Sequence, residues 1–175
     1  MPDDWFESDG QLTKRDIRAV TLSALAPRIG DTLWDIGAGS GSISIEWMLS
    51  HPSNRAIAFE RDPARAARIA RNSLALGVPD LVIVTGAAPD ALAGLRSPDA
   101  IFIGGGANQE TLEAAWAALP AHGRIVVNAV TLETQALLTE ALNMKGGELL
   151  QLQIARTRAV GRFHALDPAM AVLQW

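Results

Sequence analysis

The chain has 175 residues, 49% hydrophobic and 19% charged, a balance that fits one ordinary globular domain and excludes a disordered or membrane-embedded chain. A net charge of -4 argues against a nucleic-acid-binding surface, and the absence of cysteine excludes disulfides, thiolate catalysis and cysteine metal sites. The first residues show no basic stretch followed by an apolar run, and no segment is long enough to span a bilayer, so a cytoplasmic protein without a membrane partner is expected.

Thr13–Ala26 is predicted to be a helix, with Thr13 as N-cap and Ile17, Val20, Leu22 and Leu25 facing a core. Pro27 ends it, and Thr32–Ile36 follows as a buried strand. Ser42–Leu49 reads as a helix that stops at His51-Pro52. Arg55–Glu60 is the second strand. Asp62 caps and Pro63 opens a helix running to about Leu76, closed by Gly77. Leu81–Val84 is a third strand, Ala88–Leu95 a short helix, and Ala100–Ile103 a fourth strand ending in Gly104-Gly105-Gly106. Gln109–Leu119 is a helix, Arg124–Val127 a fifth strand and Thr131–Asn143 another helix. Glu148–Ala155 alternates like a strand. Arg156–Arg162 reads as a polar, basic link, and Ala169–Gln174 as the last strand.

Strict strand–helix alternation implies an α/β chain with a parallel, doubly wound sheet covered on both faces. Two terminal strands without a helix between them add one antiparallel strand near the edge. Seven strands in that pattern resemble the layout of the Rossmann-like class I S-adenosylmethionine methyltransferases.

In such sheets ligands sit beyond the carboxyl ends of the strands. The turn Gly37-Ala38-Gly39-Ser40-Gly41 lies there, between the first sheet strand and its helix. Its glycines permit positive φ and close approach of a ligand, and free N–H groups are expected at the helix start. A dinucleotide loop reads G-x-G-x-x-G, but the sixth position from Gly37 is Ser42. Asp35 also stands two residues ahead of Gly37. That carboxylate would repel a pyrophosphate and suit an ammonium group. The pattern D-x-G-x-G-x-G resembles the cofactor motif of S-adenosylmethionine methyltransferases. Glu60, ending the second strand, is placed to accept from ribose hydroxyls, and Ala87 and Ala88 to wall an adenine.

Four segments narrow the resemblance: Asp9-Gly10-Gln11-Leu12-Thr13-Lys14-Arg15, Trp34-Asp35-Ile36 with the glycine turn, Ile103-Gly104-Gly105-Gly106, and Val127-Asn128-Ala129-Val130-Thr131-Leu132-Glu133-Thr134. In this order they resemble the decarboxylating precorrin methyltransferases of cobalamin biosynthesis, over nearly the whole chain. More narrowly, they resemble the domain that methylates carbon-15 of a precorrin and decarboxylates its carbon-12 acetate. The resemblance implies S-adenosylmethionine as cofactor and S-adenosylhomocysteine as product. It implies that Thr13 and Gln11 reach the cofactor, with the loop from Gly37 through Ala38, Gly39 and Ser40 to Gly41, Glu60 and Ala88. Some relatives carry cysteine at position 38, where this chain has alanine. The family also contains fused enzymes with a carbon-5 methyltransferase domain, so the chain is expected to stand alone or to be the C-terminal half of such an enzyme. A homotetramer is implied as well.

Methyl transfer from a sulfonium needs alignment rather than a protein nucleophile. A tetrapyrrole with many carboxylate arms needs cations and space. Gly105 and Gly106, with Gly104 beside the sulfonium, would leave that space or form a flexible strand end, and Arg156, Arg158 and Arg162 would meet the carboxylates or lie in a solvated loop or subunit contact. If the sixth strand is parallel, their link opens on the ligand side of the sheet. Asn128 and Thr131, read as following the fifth strand, are candidates to bind a substrate carboxylate or carbonyl, though Thr131 is equally a helix cap. Glu133 is a candidate acid/base or a helix-dipole partner, and His164 a proton relay or a solvated side chain. The three histidines are too scattered for a metal site. Other readings are methyl transfer to another small molecule or to RNA, a nicotinamide-dependent oxidoreductase, and a non-catalytic cofactor binder.

Overall fold

The computed structural model describes residues 1–175, and they fall into two compact units, Met1–Val127 and Asn128–Trp175. In the first unit α1 (Arg15–Leu25) precedes five strands: β1 (Thr32–Ile36), β2 (Arg55–Glu60), β3 (Val82–Thr85), β4 (Ala100–Ile103) and β5 (Arg124–Ala129). Helices α2 (Ser42–Leu49), α3 (Pro63–Ala75) and α4 (Gln109–Ala118) connect them. The strands pair in parallel in the order β3-β2-β1-β4-β5. Both faces of the central strands are covered, which is why Leu33, Trp34 and Ile36 are all buried beside Ile101, Phe102 and Ile103 without alternation.

The last two residues of β5 lie in the second unit, where Asn128 and Ala129 pair antiparallel with β9 (Val172–Gln174). The other edge of β9 takes β6 (Leu150–Leu152), again antiparallel. The hydrogen-bonded order is therefore seven strands, β3-β2-β1-β4-β5-β9-β6, with β9 reversed and next to the edge. The expected α/β, mostly parallel, seven-stranded sheet is the one found. α5 (Leu132–Lys145) completes this unit, together with a separate hairpin of β7 (Ala155–Val160) and β8 (Phe163–Pro168). No helix is long and apolar enough to cross a membrane.

Three local expectations are corrected. The predicted helix Ala88–Leu95 shrinks to one 3-10 turn, Asp90–Leu92, because Pro89 precedes it and Gly94 follows with φ of +74°. The predicted link Arg156–Arg162 is most of β7 and its turn. Gly161, with φ of +58°, opens a two-residue turn to Phe163, as a tight hairpin requires. The first helix begins at Arg15 with Lys14 at its cap, so Thr13 caps nothing and lies in the segment before the helix.

That segment reveals a core charge. Arg18 and Thr21 line the buried face of α1 with Ile17 and Leu25. The Arg18 side chain is fully buried. Its guanidinium donates to Glu46 on α2 (2.7 Å), to Asp3 (3.0 Å), and to the carbonyls of Thr13 and Met1 (both 2.5 Å), and it stacks on Phe6 at 4.9 Å. A buried cation is tolerated only with such partners. Removing it takes the Arg18 donor from the Thr13 and Met1 carbonyls and leaves Glu46 paired with the Met1 ammonium alone, at 2.6 Å. We therefore expect Arg18→Met to destabilise the chain by about 3–5 kcal/mol in urea unfolding. A loss below about 1 kcal/mol would mean that the network relaxes around a neutral side chain.

Candidate active site

The chain reverses direction across the sheet between β1 and β4, and the loops after these strands meet there. Gly104 N–H donates to the Ile36 carbonyl (3.0 Å). Gly37 lies so close to the β4 loop that a Cβ on it would fall 2.2 Å from the Gly105 carbonyl oxygen. Its φ of +71° excludes a side chain independently. Gly41, with φ of +77°, is packed under Ile69 of α3, and a Cβ there would come within 2.7 Å of that side chain. Gly37 and Gly41 thus serve chain-on-chain packing.

Four of the loop amides are engaged within the chain. Gly37 and Ala38 N–H both donate to the Phe59 carbonyl (2.9 and 3.1 Å), and Gly41 N–H to the Ala38 carbonyl (2.8 Å). Gly39 N–H donates to Glu60 Oε2 at 2.9 Å, and Asp62 N–H to the other Glu60 oxygen at 3.0 Å. Two acidic side chains beside the loop make it a poor phosphate cradle. It offers carboxylates instead. Each Glu60 oxygen still has a lone pair for a hydroxyl donor.

Asp35 is buried at the end of β1. Its Oδ2 accepts from the Ser44 N–H (3.1 Å) and hydroxyl (2.7 Å) in the first turn of α2, whose own cap residue, Gly41, has no side chain to do so. Its Oδ1 is buried with no hydrogen-bond partner. Burial raises the carboxyl from 3.8 to about 6; the Ser44 bonds oppose this and the Glu60 charge adds to it. An orphaned carboxylate oxygen beside a second buried acid is complementary to a cation that also carries hydroxyls.

The other residues singled out in the first unit gather at the same loops. The main chain of Gln11 lies over the glycine turn, its carbonyl oxygen 2.8 Å from where a Cβ on Gly39 would stand. Thr13 follows two residues on, its carbonyl held by Arg18. Ser40 is fully buried, with its hydroxyl unpaired. Gly86 N–H donates to the Glu60 carbonyl (3.1 Å), which brings the Ala87-Ala88 turn to the end of β2. Gly105 and Gly106 are exposed, and Gly106 has open space around it. Two residues not foreseen also belong here. Ser44 orients Asp35, and Asn72, on the buried stripe of α3, donates to the Ser40 carbonyl at 2.9 Å. A polar residue at helical spacing from Ala66 and Ile69 was the available signal for Asn72.

In the second unit Asn128 is in β5 rather than after it, because the strand continues to Ala129; its Oδ1 accepts from Gln174 (2.8 Å). Thr131 is the N-cap of α5, accepting from Thr134 N–H at 3.3 Å, and Glu133 is exposed in the first turn. On the hairpin, Arg156 and Arg158 share one face with Asp167, which pairs with Arg158 at 3.4 Å. His164 stands opposite Ala159, on the other face. Arg162 sits in the turn, its guanidinium over the Phe163 ring at 4.9 Å.

Comparisons with known proteins bear on this geometry. The model of the precorrin methyltransferase domain matches residues 4–175. A precorrin-6Y C(5,15)-methyltransferase [decarboxylating] of a Sinorhizobium species is 56% identical over 171 residues, 97% of this chain and 41% of that protein. The chain thus spans less than half the length of that relative. A probable cobalt-precorrin-6B C(15)-methyltransferase (decarboxylating) of Pyrobaculum calidifontis is 36% identical over 183 residues, 98% of this chain and 93% of that one. Among solved structures, the C-terminal domain of precorrin-6Y C5,15-methyltransferase from Rhodobacter capsulatus superposes with a TM-score of 0.94 at 45% identity, covering 100% of this chain and 95% of that one.

The Asp35 carboxyl carries a stability signature. It ionises near 3.8 when unfolded and near 6 when folded, so its contribution is fully present below pH 3.8 and lost as the pH rises through about 6. The loss is about 3 kcal/mol. Asp35→Asn escapes that loss, and should be more stable than the parent at pH 8 and level with it near pH 4. Urea unfolding at the two pH values measures this; a variant weaker than the parent at pH 8 would contradict the buried-charge assignment.

Proposed function

The chain belongs to the precorrin methyltransferase family, and from that membership we propose that it methylates carbon-15 of a precorrin and decarboxylates the carbon-12 acetate side chain, whose carboxylate leaves as carbon dioxide, using S-adenosylmethionine, in cobalamin biosynthesis. The observation that carries the cofactor reading is the buried, unpartnered Oδ1 of Asp35 beside the glycine turn. The substrate reading is supported by the relative of nearly equal length, which is named as a C(15)-methyltransferase (decarboxylating).

When bound, S-adenosylmethionine supplies a methyl group activated on sulfonium. Asp35 would hold its ammonium, Glu60 would accept from its ribose hydroxyls, and Ala87 and Ala88 would flank its adenine. The turn from Gly37 to Gly41, with Gln11 and Thr13 over it and Gly104 beside it, would fix the position of the reacting methyl; alignment is the main thing this displacement requires. Gly105 and Gly106 leave room for a flat macrocycle, since neither carries a side chain. Arg156, Arg158 and Arg162 are the cations we assign to the carboxylate arms. Thr131 and Glu133 are the groups we assign to the acetate and its proton. Asn128, whose oxygen accepts from Gln174, is the group we assign to a substrate carboxylate or carbonyl. His164 shares no hairpin face with Arg156 and Arg158, so we assign it a separate proton-relay role.

A cytoplasmic location and a homotetramer complete the reading. The exposed apolar side chains of the hairpin, Phe163 and Leu166, support self-association. The lengths of the relatives support either a free domain or the C-terminal half of an enzyme with a carbon-5 methyltransferase domain.

Incubation with S-adenosylmethionine and a precorrin substrate, followed by mass spectrometry, should show gain of one methyl and loss of carbon dioxide. Methylation without that loss, or neither change, would contradict the proposal. Arg158→Glu should weaken tetrapyrrole binding about tenfold or more in fluorescence titration and leave S-adenosylhomocysteine binding unchanged. Equal weakening of both would remove Arg158 from the substrate site.

A further inference from the structure

The segment before α1 is tied down on both sides of its passage over the glycine turn. On one side the buried Arg18 grips the Thr13 carbonyl (2.5 Å) while it pairs with Glu46 on α2. On the other, Asp9 pairs with Arg65 and Arg68 of α3, each at 3.0 Å. Only Gly10, Gln11 and Leu12 bridge these anchors, and the Gln11 carbonyl rests on Gly39. One turn further along α3, the Glu7 carboxylate receives two bonds from Arg71, both 2.7 Å.

Asn72 joins this strap to the turn beneath it. Its Oδ1 accepts from Glu7 N–H (2.9 Å), and its amide nitrogen donates to the Glu7 carbonyl (3.0 Å) and to the Ser40 carbonyl (2.9 Å). The side chain is buried among these partners. One amide therefore fixes both the strap and the loop it covers, a task that needs one acceptor and two donors on the same short side chain.

We propose that Asn72 and Asp9 are positioning residues for cofactor binding, holding the Gly10–Leu12 bridge against the glycine turn so that strap and turn form one preorganised wall. The inference rests on the cofactor reading above. The two anchors differ physically. The Arg18 side chain is wholly buried. The Asp9 anchor is partly exposed, so its pairs are weak singly and screened by salt. The Arg65 and Arg68 guanidiniums hold the Asp9 carboxyl well below the usual carboxylate range, so at neutral pH this anchor responds to ionic strength and not to pH. Preorganisation of the wall enters cofactor affinity directly, since a loose strap must be ordered when the ligand binds.

Calorimetric titration of the full chain with S-adenosylhomocysteine, at about 0.05 M and about 0.5 M salt, tests this. Wild type should lose about threefold in affinity between the two conditions. Asp9→Asn should bind about threefold to tenfold more weakly at low salt, lose the salt dependence, and melt at the wild-type temperature. Asp9→Glu should restore affinity and salt dependence together. Asn72→Ala, where it folds, should weaken binding about tenfold or more. Wild-type affinity and salt dependence in Asp9→Asn would overturn the inference while leaving the cofactor reading standing. A wild-type chain that binds no S-adenosylhomocysteine would overturn both.

Discussion

Burying the Asp35 carboxylate at the end of β1 is the constraint around which the site is built. The charge is taken out of water, placed near Glu60, and compensated at only one of its two oxygens by Ser44. A fold optimised for stability alone would put an amide or an apolar residue there. Phe59, Glu60 and Ala38 take up the amides of Gly37, Ala38, Gly39 and Gly41, and the turn lies beside two acids. A pyrophosphate would meet two negative groups. A ligand with an ammonium and two vicinal hydroxyls would meet its complements.

Rigidity comes from close approach. Gly37 sits against Gly105, Gly41 under Ile69, and the Gln11 main chain over Gly39, so elements far apart in sequence touch through backbone. Each contact is possible only because a side chain is missing. Two buried polar side chains then tie the N-terminal segment to the sheet's helices, Arg18 through α2 and Asn72 through α3. Both are satisfied by several partners, as buried polar groups must be. Fixing the wall before the ligand arrives leaves less entropy to lose on binding.

Much of this was legible in the chain itself. β1, α2, β2 and β4 begin and end where the apolar runs and the Asp62-Pro63 and glycine signals put them. The motif carrying Asp35 was legible too, because its acid and its glycine spacing each have a distinct chemical meaning. The hairpin of β7 and β8 was not. Most of its residues are exposed on both faces, so Arg156 to Val160 lack the alternation that marks a half-buried strand, although Gly161-Arg162 was an available turn signal. Arg18 and Asn72 were missed for the opposite reason. Polar residues on a helix read as solvated until the partners that bury them, Glu46 and Asp3 for one, Glu7 and Ser40 for the other, are brought in from elsewhere in the fold.

The central claim is that the turn after β1 holds a cationic, ribose-bearing cofactor through Asp35 and Glu60. It is tested most directly by titrating the wild-type chain with S-adenosylhomocysteine and with NADH at about pH 5 and about pH 7.5, on either side of the Asp35 ionisation near 6. The account predicts S-adenosylhomocysteine binding that tightens at the higher pH, where Asp35 is charged, and no binding of NADH. Binding of NADH, or S-adenosylhomocysteine affinity indifferent to pH across that range, would contradict it.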